Sequence, residues 1–509
     1  MIFLEGGPLD DVGTMSLPVF DPGPRRTMRW RVLLFLAVPA LLLGFVLGAQ
    51  VVLLESRQRG ATGEDAGGPL PGALERLSGA VRIETVSRDD GPPDAEALER
   101  FARYLRGAFP RVHAELVHER LGGSHLLRWK GEDADRAPWL VLAHLDVVPA
   151  DDAEAWEHAP FEGRVVDDVL HGRGTLDDKG SLLGWLEAIE SLLEEGRRPR
   201  HDFVFAFGHD EEIGGDAGAR VLAERLRADG ERFACVLDEG GFVLQDGVPG
   251  LESPVALVGV AEKGYLTLGL TARGPGGHSS LPTPDGAVAR LAEAVLRLES
   301  EPFPARLDGA TAHHLDWLAP EASPAMRFAL ANRALFEGLI LGRLLDDPQT
   351  AAMVRTTLAV TRLDAGTADN VLAREARATV QLRLLPGDTV AGVRARLEGI
   401  LAGLDVELET VEADEPSPVS DPEHPAFRRL QRALARTHPD ARVLPYLCVG
   451  GTDAKHYADL AEVVLRFLPL RLARADLARL HGTDERLSRE DYRDLISCYR
   501  ALLLDAGEN

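Results

Sequence analysis

Cysteine is scarce in this chain of 509 residues: only Cys235, Cys448 and Cys498 occur, widely spaced and odd in number. That excludes a disulfide framework, and the three thiols read as small buried hydrophobes. Positive charge is also in short supply, with 56 Lys and Arg against 81 Asp and Glu and a formal net charge of -25. A surface of that sign repels phosphate, which excludes nucleic acid and anionic lipid as partners of the soluble part. Internal repeats and low-complexity tracts are lacking. What remains, 45% hydrophobic and 27% charged residues, is the composition of a globular protein of more than one domain with ample core.

Charge is missing altogether from one stretch, Val32 to Leu54. A membrane-spanning helix needs about 20 apolar residues, and this run supplies them. Arg25, Arg26, Arg29 and Arg31 precede it, against Arg57 and Arg59 after it. The positive-inside bias therefore predicts a tail (1–31) in the cytoplasm, a transmembrane anchor (32–54) and everything beyond it outside. The alternative is a signal peptide cleaved near Gly48-Ala49, which would leave a secreted protein, although the run is longer than a usual signal core. Residues 55–72, rich in Gly, Asp and Pro, read as a linker.

Beyond the linker the apolar pattern alternates between strand and helix. Leu140 to Ala143, Phe203 to Phe207 and Ala234 to Leu237 are predicted strands, Ser181 to Glu195 is a predicted helix, and another helix is predicted from Asp216 onward. This predicts an α/β fold with a mainly parallel sheet, whose functional groups gather beyond the carboxyl ends of the strands. From about residue 260 the pattern changes. Strands are predicted at Tyr265 to Ala272, Met353 to Thr361 and Arg377 to Leu384, helices at Asp285 to Leu298 and Thr389 to Leu401, and a mostly helical stretch from Leu307 to Asp347. An inserted α+β domain (259–414) would thus interrupt a catalytic domain made of 73–258 and 415–509, the second part bringing a helix from His424 to Thr437, two short strands and a terminal helix from Ser488 to Leu504.

Five segments place metal-ligand side chains directly after apolar runs: His144-Leu145-Asp146, Gly174-Thr175-Leu176-Asp177-Asp178-Lys179-Gly180, His209-Asp210-Glu211-Glu212, Leu237-Asp238-Glu239-Gly240-Gly241 and His481-Gly482-Thr483-Asp484-Glu485. Catalytic zinc takes imidazole nitrogen and carboxylate oxygen and keeps a position open, and two such ions need a bridging ligand. Asp177, in a glycine-punctuated turn, is the natural bridge. His144 and Asp238 would complete one shell, Glu212 and His481 the other. Asp146 would orient His144 through its far ring nitrogen. Glu211 is left as the general base.

These residues resemble the zinc-dependent aminoacylase and carboxypeptidase family, and its carboxypeptidase S branch most of all, from about residue 75 to the C-terminus. The marks are His144-Leu145-Asp146, the run from Gly172 to Gly180, Gly208-His209-Asp210-Glu211-Glu212, Asp238-Glu239-Gly240-Gly241 and Gly450-Gly451-Thr452-Asp453. The resemblance implies two zinc ions per subunit, a lid domain that often dimerises, and a cis peptide at Asp177-Asp178. It also implies lid contributions from His278, toward the oxyanion, and from Asn370 and Arg383, toward the substrate carboxylate, with a further hydrogen bond from Thr452. Arg383 fits physically, since a guanidinium pairs bidentately with carboxylate. Two departures stand out: Asn370 is followed by Val371-Leu372-Ala373 without the usual proline, and Asp238 stands where many relatives have glutamate, so Glu239 remains an alternative ligand.

The expected activity is hydrolysis of an amide bond next to a C-terminal amino acid, in a peptide or an N-acyl amino acid, by water activated between two zincs with Glu211 as base. Aminopeptidase or dipeptidase specificity on the same site, and a non-catalytic zinc-binding protein, are the alternatives.

Overall fold

A computed structural model describes residues 24–60, 67–88, 91–133, 135–150 and 152–505, with the side chains of 24–34, 36 and 39 outside that description. The chain divides into two units, Met1–Leu54 and Glu55–Asn509. In the first, a helix runs from Pro24 to Val52. Among the described residues, however, no helix is long and apolar enough to cross a membrane. The anchor expected at 32–54 is thus met by a helix but not by a recognised span. Most of the expected tail (1–23) and the middle of the expected linker (61–66) lie outside the described residues.

The second unit is built on a ten-stranded sheet. At its centre Trp139–His144 lies between Phe203–Gly208 and Phe233–Asp238, parallel to both, and Ala461–Arg466 extends the parallel run beside Phe233–Asp238. Every residue of Trp139–His144 and Phe203–Gly208 is buried, as continuous apolar runs covered on both faces must be. One face is covered by helix Lys179–Glu194, itself buried nearly throughout, against which the terminal helix Arg489–Leu504 packs. Trp185 stacks on Tyr499 there with ring centroids 3.7 Å apart. On the other face, Leu222, Ala223 and Leu226 of helix Ala219–Ala228 join a cluster with Leu140, Leu142, Val204 and Val236. The α/β expectation and the central strands are as the apolar runs predict.

A separate antiparallel sheet has the order Thr357–Ala365, Glu375–Leu384, Gly264–Arg273, Val406–Asp414. Its inner face, with Leu266, Leu268, Val380 and Leu382, packs on helices Ala287–Ser300 and Val390–Ile400. Two elements differ from expectation. The strand predicted from Met353 begins only at Thr357, because the Asp347 side chain accepts the N–H groups of Gln349 and Thr350 and starts a helix, Pro348–Val354, that consumes Met353. Strand Val406–Asp414 escaped prediction because most of its residues are polar and exposed, as on an outer edge. The stretch 307–347 forms three helices, Gly309–Leu318, Pro324–Ala331 and Arg333–Leu345.

Candidate metal centre

The central parallel strands end side by side, which delivers their last residues to one place. His144 closes its strand with 1% exposure. Its Nδ1 donates to the backbone carbonyl of Asp146 at 3.0 Å, which leaves Nε2 as the coordinating nitrogen. Nε2 lies 2.9 Å from Asp177 Oδ1. The other carboxylate oxygen, Asp177 Oδ2, lies 3.0 Å from Nε2 of His481. His481 Nε2 is in turn 3.3 Å from Glu212 Oε2, and His144 Nε2 is 3.6 Å from Glu239 Oε1. Among the described residues three groups have ligand atoms mutually within 4.8 Å: His144, Asp177 and Glu239; Asp177, Glu212 and His481; His144, Glu211 and Glu212. The first two share Asp177, and one carboxylate oxygen serves each.

Asp238 is not in any of these groups, and here the structure departs from the sequence expectation. Its Oδ1 accepts the N–H of Glu239 at 2.9 Å and its Oδ2 the N–H of Ala454 at 2.8 Å. With both oxygens on backbone amides, Asp238 fixes the strand end, and Glu239 faces the centre. Asp146 differs in detail too. Its carbonyl faces the His144 ring nitrogen at 3.0 Å with its carboxylate Oδ1 3.4 Å from the same atom, and the carboxylate also accepts Ser87 Oγ at 2.6 Å and the N–H groups of Glu211 and Glu212 at 3.2 and 3.3 Å. Asp146 therefore orients the histidine and the Glu211-Glu212 turn together.

Electrostatics bear on whether this set suits cations. Burial first, then neighbouring charge, pushes the carboxyls of Glu211 and Glu212 up, and raises Glu239 to about 8. Burial also pulls Asp177 upward, but its hydrogen bonds to His144 and His481 outweigh that and hold it well below the usual carboxylate range. His481 is pushed up to about 10 by its bonds to Asp177 and Glu212. Glu212 Oε1 is buried and has no hydrogen-bond partner among the described residues. Crowded, buried carboxylates interleaved with histidines are costly for the protein alone and are relieved by divalent cations, so the donor set fits metal.

Two residues without an assigned role in the sequence reading hold this centre together. Buried Glu485 accepts from Arg173 Nη1 at 2.9 Å and from the N–H groups of Gly174, Leu176 and Asp177 at 3.0, 2.6 and 3.1 Å. Arg173 Nη2 donates to the carbonyls of His481 and Gly482 at 3.2 and 2.8 Å. The pair ties the loop carrying Asp177 to the segment carrying His481. In that loop Gly180 is required, since a Cβ would fall 2.2 Å from the Thr175 carbonyl oxygen, and the Asp177-Asp178 peptide is cis.

The expected lid residues stand apart from the ligand groups. His278 is exposed on a two-residue strand paired with Val371–Leu372, and Ser279 N–H donates to Asn370 O at 3.1 Å, which makes His278 and Asn370 neighbours. Arg383 lies over the Tyr265 ring at 4.6 Å and has no ion-pair partner among the described residues. Thr452 donates to Glu262 at 3.1 Å, on the wall of a cavity that reaches Asp177 and Glu239.

A profile of peptidase family M20/M25/M40 matches residues 140–505. An N-fatty-acyl-amino acid synthase/hydrolase of Xenopus tropicalis is 40% identical over 436 residues, covering 84% of this chain and 85% of that protein. A probable carboxypeptidase S-like protein of Dictyostelium discoideum is 37% identical, covering 84% of each. An M20 family metallo-carboxypeptidase of Sulfolobus solfataricus shares the fold, with a TM-score of 0.64 at 18% identity over 85% of this chain and 99% of that one.

Proposed function

Since the chain belongs to peptidase family M20/M25/M40 and is a metal-dependent hydrolase, we propose that it cleaves the amide bond next to a C-terminal amino acid, in an N-acyl amino acid or a peptide. The observation that carries this reading is the Asp177 carboxylate, with one oxygen turned to His144 and the other to His481. One zinc would be held by His144, Glu239 and Asp177, and a second by Asp177, Glu212 and His481. Bound there, the pair would supply Lewis acidity, lowering the pKa of a water and polarising the amide carbonyl.

The protein's own groups do the rest. Glu211, beside the ligands but needed by neither set, takes a proton from the attacking water and returns it to the departing nitrogen. Asp146 holds both the His144 ring and the turn that aims Glu211. His278 meets the oxyanion, and Asn370 and Arg383 hold the substrate carboxylate, with a further hydrogen bond from Thr452. The stacked, half-buried Arg383 supports this role, as a guanidinium without a protein anion is ready for one from the substrate. A homodimer through the lid domain belongs to the same proposal.

Metal analysis and a hydrolysis screen of N-acyl amino acids and dipeptides test it. An amide in place of the substrate carboxylate would leave a buried guanidinium unpaired, at a cost of about 2 to 5 kcal/mol. Amidated substrates should then be cleaved at least about 30-fold less efficiently than free acids, a preference that Arg383→Ala should erase. Equal turnover of acids and amides would end the carboxylate reading. A location outside the cytoplasm, tethered or released, is proposed from the arginine asymmetry around 32–54, and fractionation with external protease treatment tests it.

A further inference from the structure

The two histidines of the metal centre are held in different ways. His144 has a side chain only 2% exposed and a ring fixed through Nδ1 to the Asp146 carbonyl. The His481 side chain is 57% exposed, and among the described residues nothing bonds its Nδ1. Its backbone lies in the left-handed region, with φ 58°, and so does that of Asp484, with φ 57°. Residues other than glycine adopt that region at a cost and stay there only where neighbours hold them. The neighbours here are Arg173 and the loop of residues 152–160. Arg173 Nη2 donates to the carbonyls of His481 and Gly482. The Arg173 guanidinium lies over the Trp156 ring, 5.1 Å from its centroid, and the Arg173 N–H donates to Pro160 O at 2.8 Å. The N–H of Glu157 donates to Asp484 Oδ1 at 2.7 Å. Trp156 is buried although residues 152–155 and 157 are exposed.

We infer that the Trp156 ring and the Glu157 N–H form a clamp that positions His481, and that this clamp sets the affinity for the ion held by Asp177, Glu212 and His481 while touching neither metal nor substrate. The inference rests on the two-ion reading above. The stack on Trp156 fixes the plane of the Arg173 guanidinium, and with it the direction in which Nη2 meets the two carbonyls. A cation over an indole face is held most firmly where water is excluded, and Arg173 is 3% exposed. Glu157 pins the far end of the same turn through Asp484. Apart from its contacts with Asp177 and Glu212, the His481 ring has no bond of its own among the described residues, so its aim is inherited from this backbone. The loop that carries Asp177 depends on the clamp far less, since Glu485 accepts three of its N–H groups directly. Trp156 therefore acts on one metal position and spares the one at His144 and Glu239.

The test is chelator competition on the full-length protein loaded with Zn²⁺, which should give up its metal in two steps, the weaker belonging to the exposed His481 position. Trp156→Leu, which removes the ring face, should raise the dissociation constant of the weaker step about 10- to 100-fold, the range for residues that orient a ligand, and move the tighter one less than about threefold. Trp156→Phe, which restores a ring face, should bring the weaker constant back to within about threefold of wild type. Asp484→Gly leaves the left-handed backbone unstrained but removes the Oδ1 acceptor, and should repeat the loss. Asp484→Asn keeps the acceptor and tolerates that backbone, and should not. Wild-type constants in Trp156→Leu and Asp484→Gly, equal weakening of both steps, or a Trp156→Phe protein as weak as Trp156→Leu would overturn the clamp and leave the two-ion reading intact. A wild type that holds only one ion contradicts the two-ion reading and removes the clamp with it. Should Trp156→Leu fail to fold, the two Asp484 variants decide.

Discussion

Replacing Glu485 by glutamine should loosen both halves of the metal centre at once. The Glu485 carboxylate is fully buried and spends its oxygens on Arg173 and on the N–H groups of Gly174, Leu176 and Asp177. Arg173, 3% exposed, carries the connection on to His481 and Gly482. Glutamine keeps one acceptor oxygen but turns an NH₂ toward donors and leaves the guanidinium without its anion. Breaking a buried pair in this way costs about 3 to 5 kcal/mol. At about 1.4 kcal/mol per tenfold, the folding constant falls by two to more than three orders of magnitude. Urea unfolding of the metal-free protein reads that loss, and chelator competition reads the accompanying loss of metal affinity. The double variant Arg173→Met/Glu485→Leu should not regain the stability, since the N–H groups of Gly174, Leu176 and Asp177 would stay buried without an acceptor, at about 1 to 3 kcal/mol each. Nor should it regain the metal affinity, because the loop that carries Asp177 is then left without its anchor. A Glu485→Gln protein within about 1 kcal/mol of wild type and with unchanged metal binding would refute the reasoning.

Glu211→Gln should retain metal and lose at least about 100-fold in kcat, as expected for a proton-transfer group, and near-normal turnover would remove Glu211 from that role. Glu239→Gln should weaken metal binding at least about tenfold, while Asp238→Asn, which disturbs only backbone contacts, should keep the metal and lose stability; the opposite pattern would restore Asp238 as the ligand. Away from the centre, burial holds His125 down to about 3 and His118 to about 4, both below the ordinary 6.5. Neutral in the folded state, they contribute stability that is present above pH 6.5 and is lost as pH falls toward those values. For the deeply buried His125 the loss is at most about 1.4 kcal/mol per pH unit, and His125→Phe should flatten the acid limb of a stability-against-pH curve. An unaltered limb would place the acid sensitivity elsewhere.

The central strands were legible because each is a short, unbroken apolar run, and such runs are recognisable without knowing their neighbours. The same locality exposed most of the candidate ligands, since His144, Glu211 and Glu212 directly follow such runs. Where expectation and structure part, the deciding contact comes from far along the chain. Asp238 and Glu239 are adjacent and chemically equivalent in sequence. The N–H of Ala454, 216 residues away, takes up one Asp238 oxygen and leaves Glu239 to the centre. Glu485 stood in a recognised motif without a role, because its partner Arg173 is 312 residues distant. Val406–Asp414 carries no strand pattern because its outward side chains meet solvent on an edge. The cavity beside the centre has motif residues such as Gly240, Gly241 and Gly451 on part of its wall, but the rest of the wall comes from helices of residues 309–354 that carry no motif. Sequence alone therefore determined the strands, their order along the chain and the chemistry available at their ends, because backbone periodicity is a local property. Which carboxylate joins the candidate metal centre, what anchors the loops and what cavity lies beside them were decided only by tertiary structure, because hydrogen-bond partners and enclosed volume depend on segments that meet only when the chain folds.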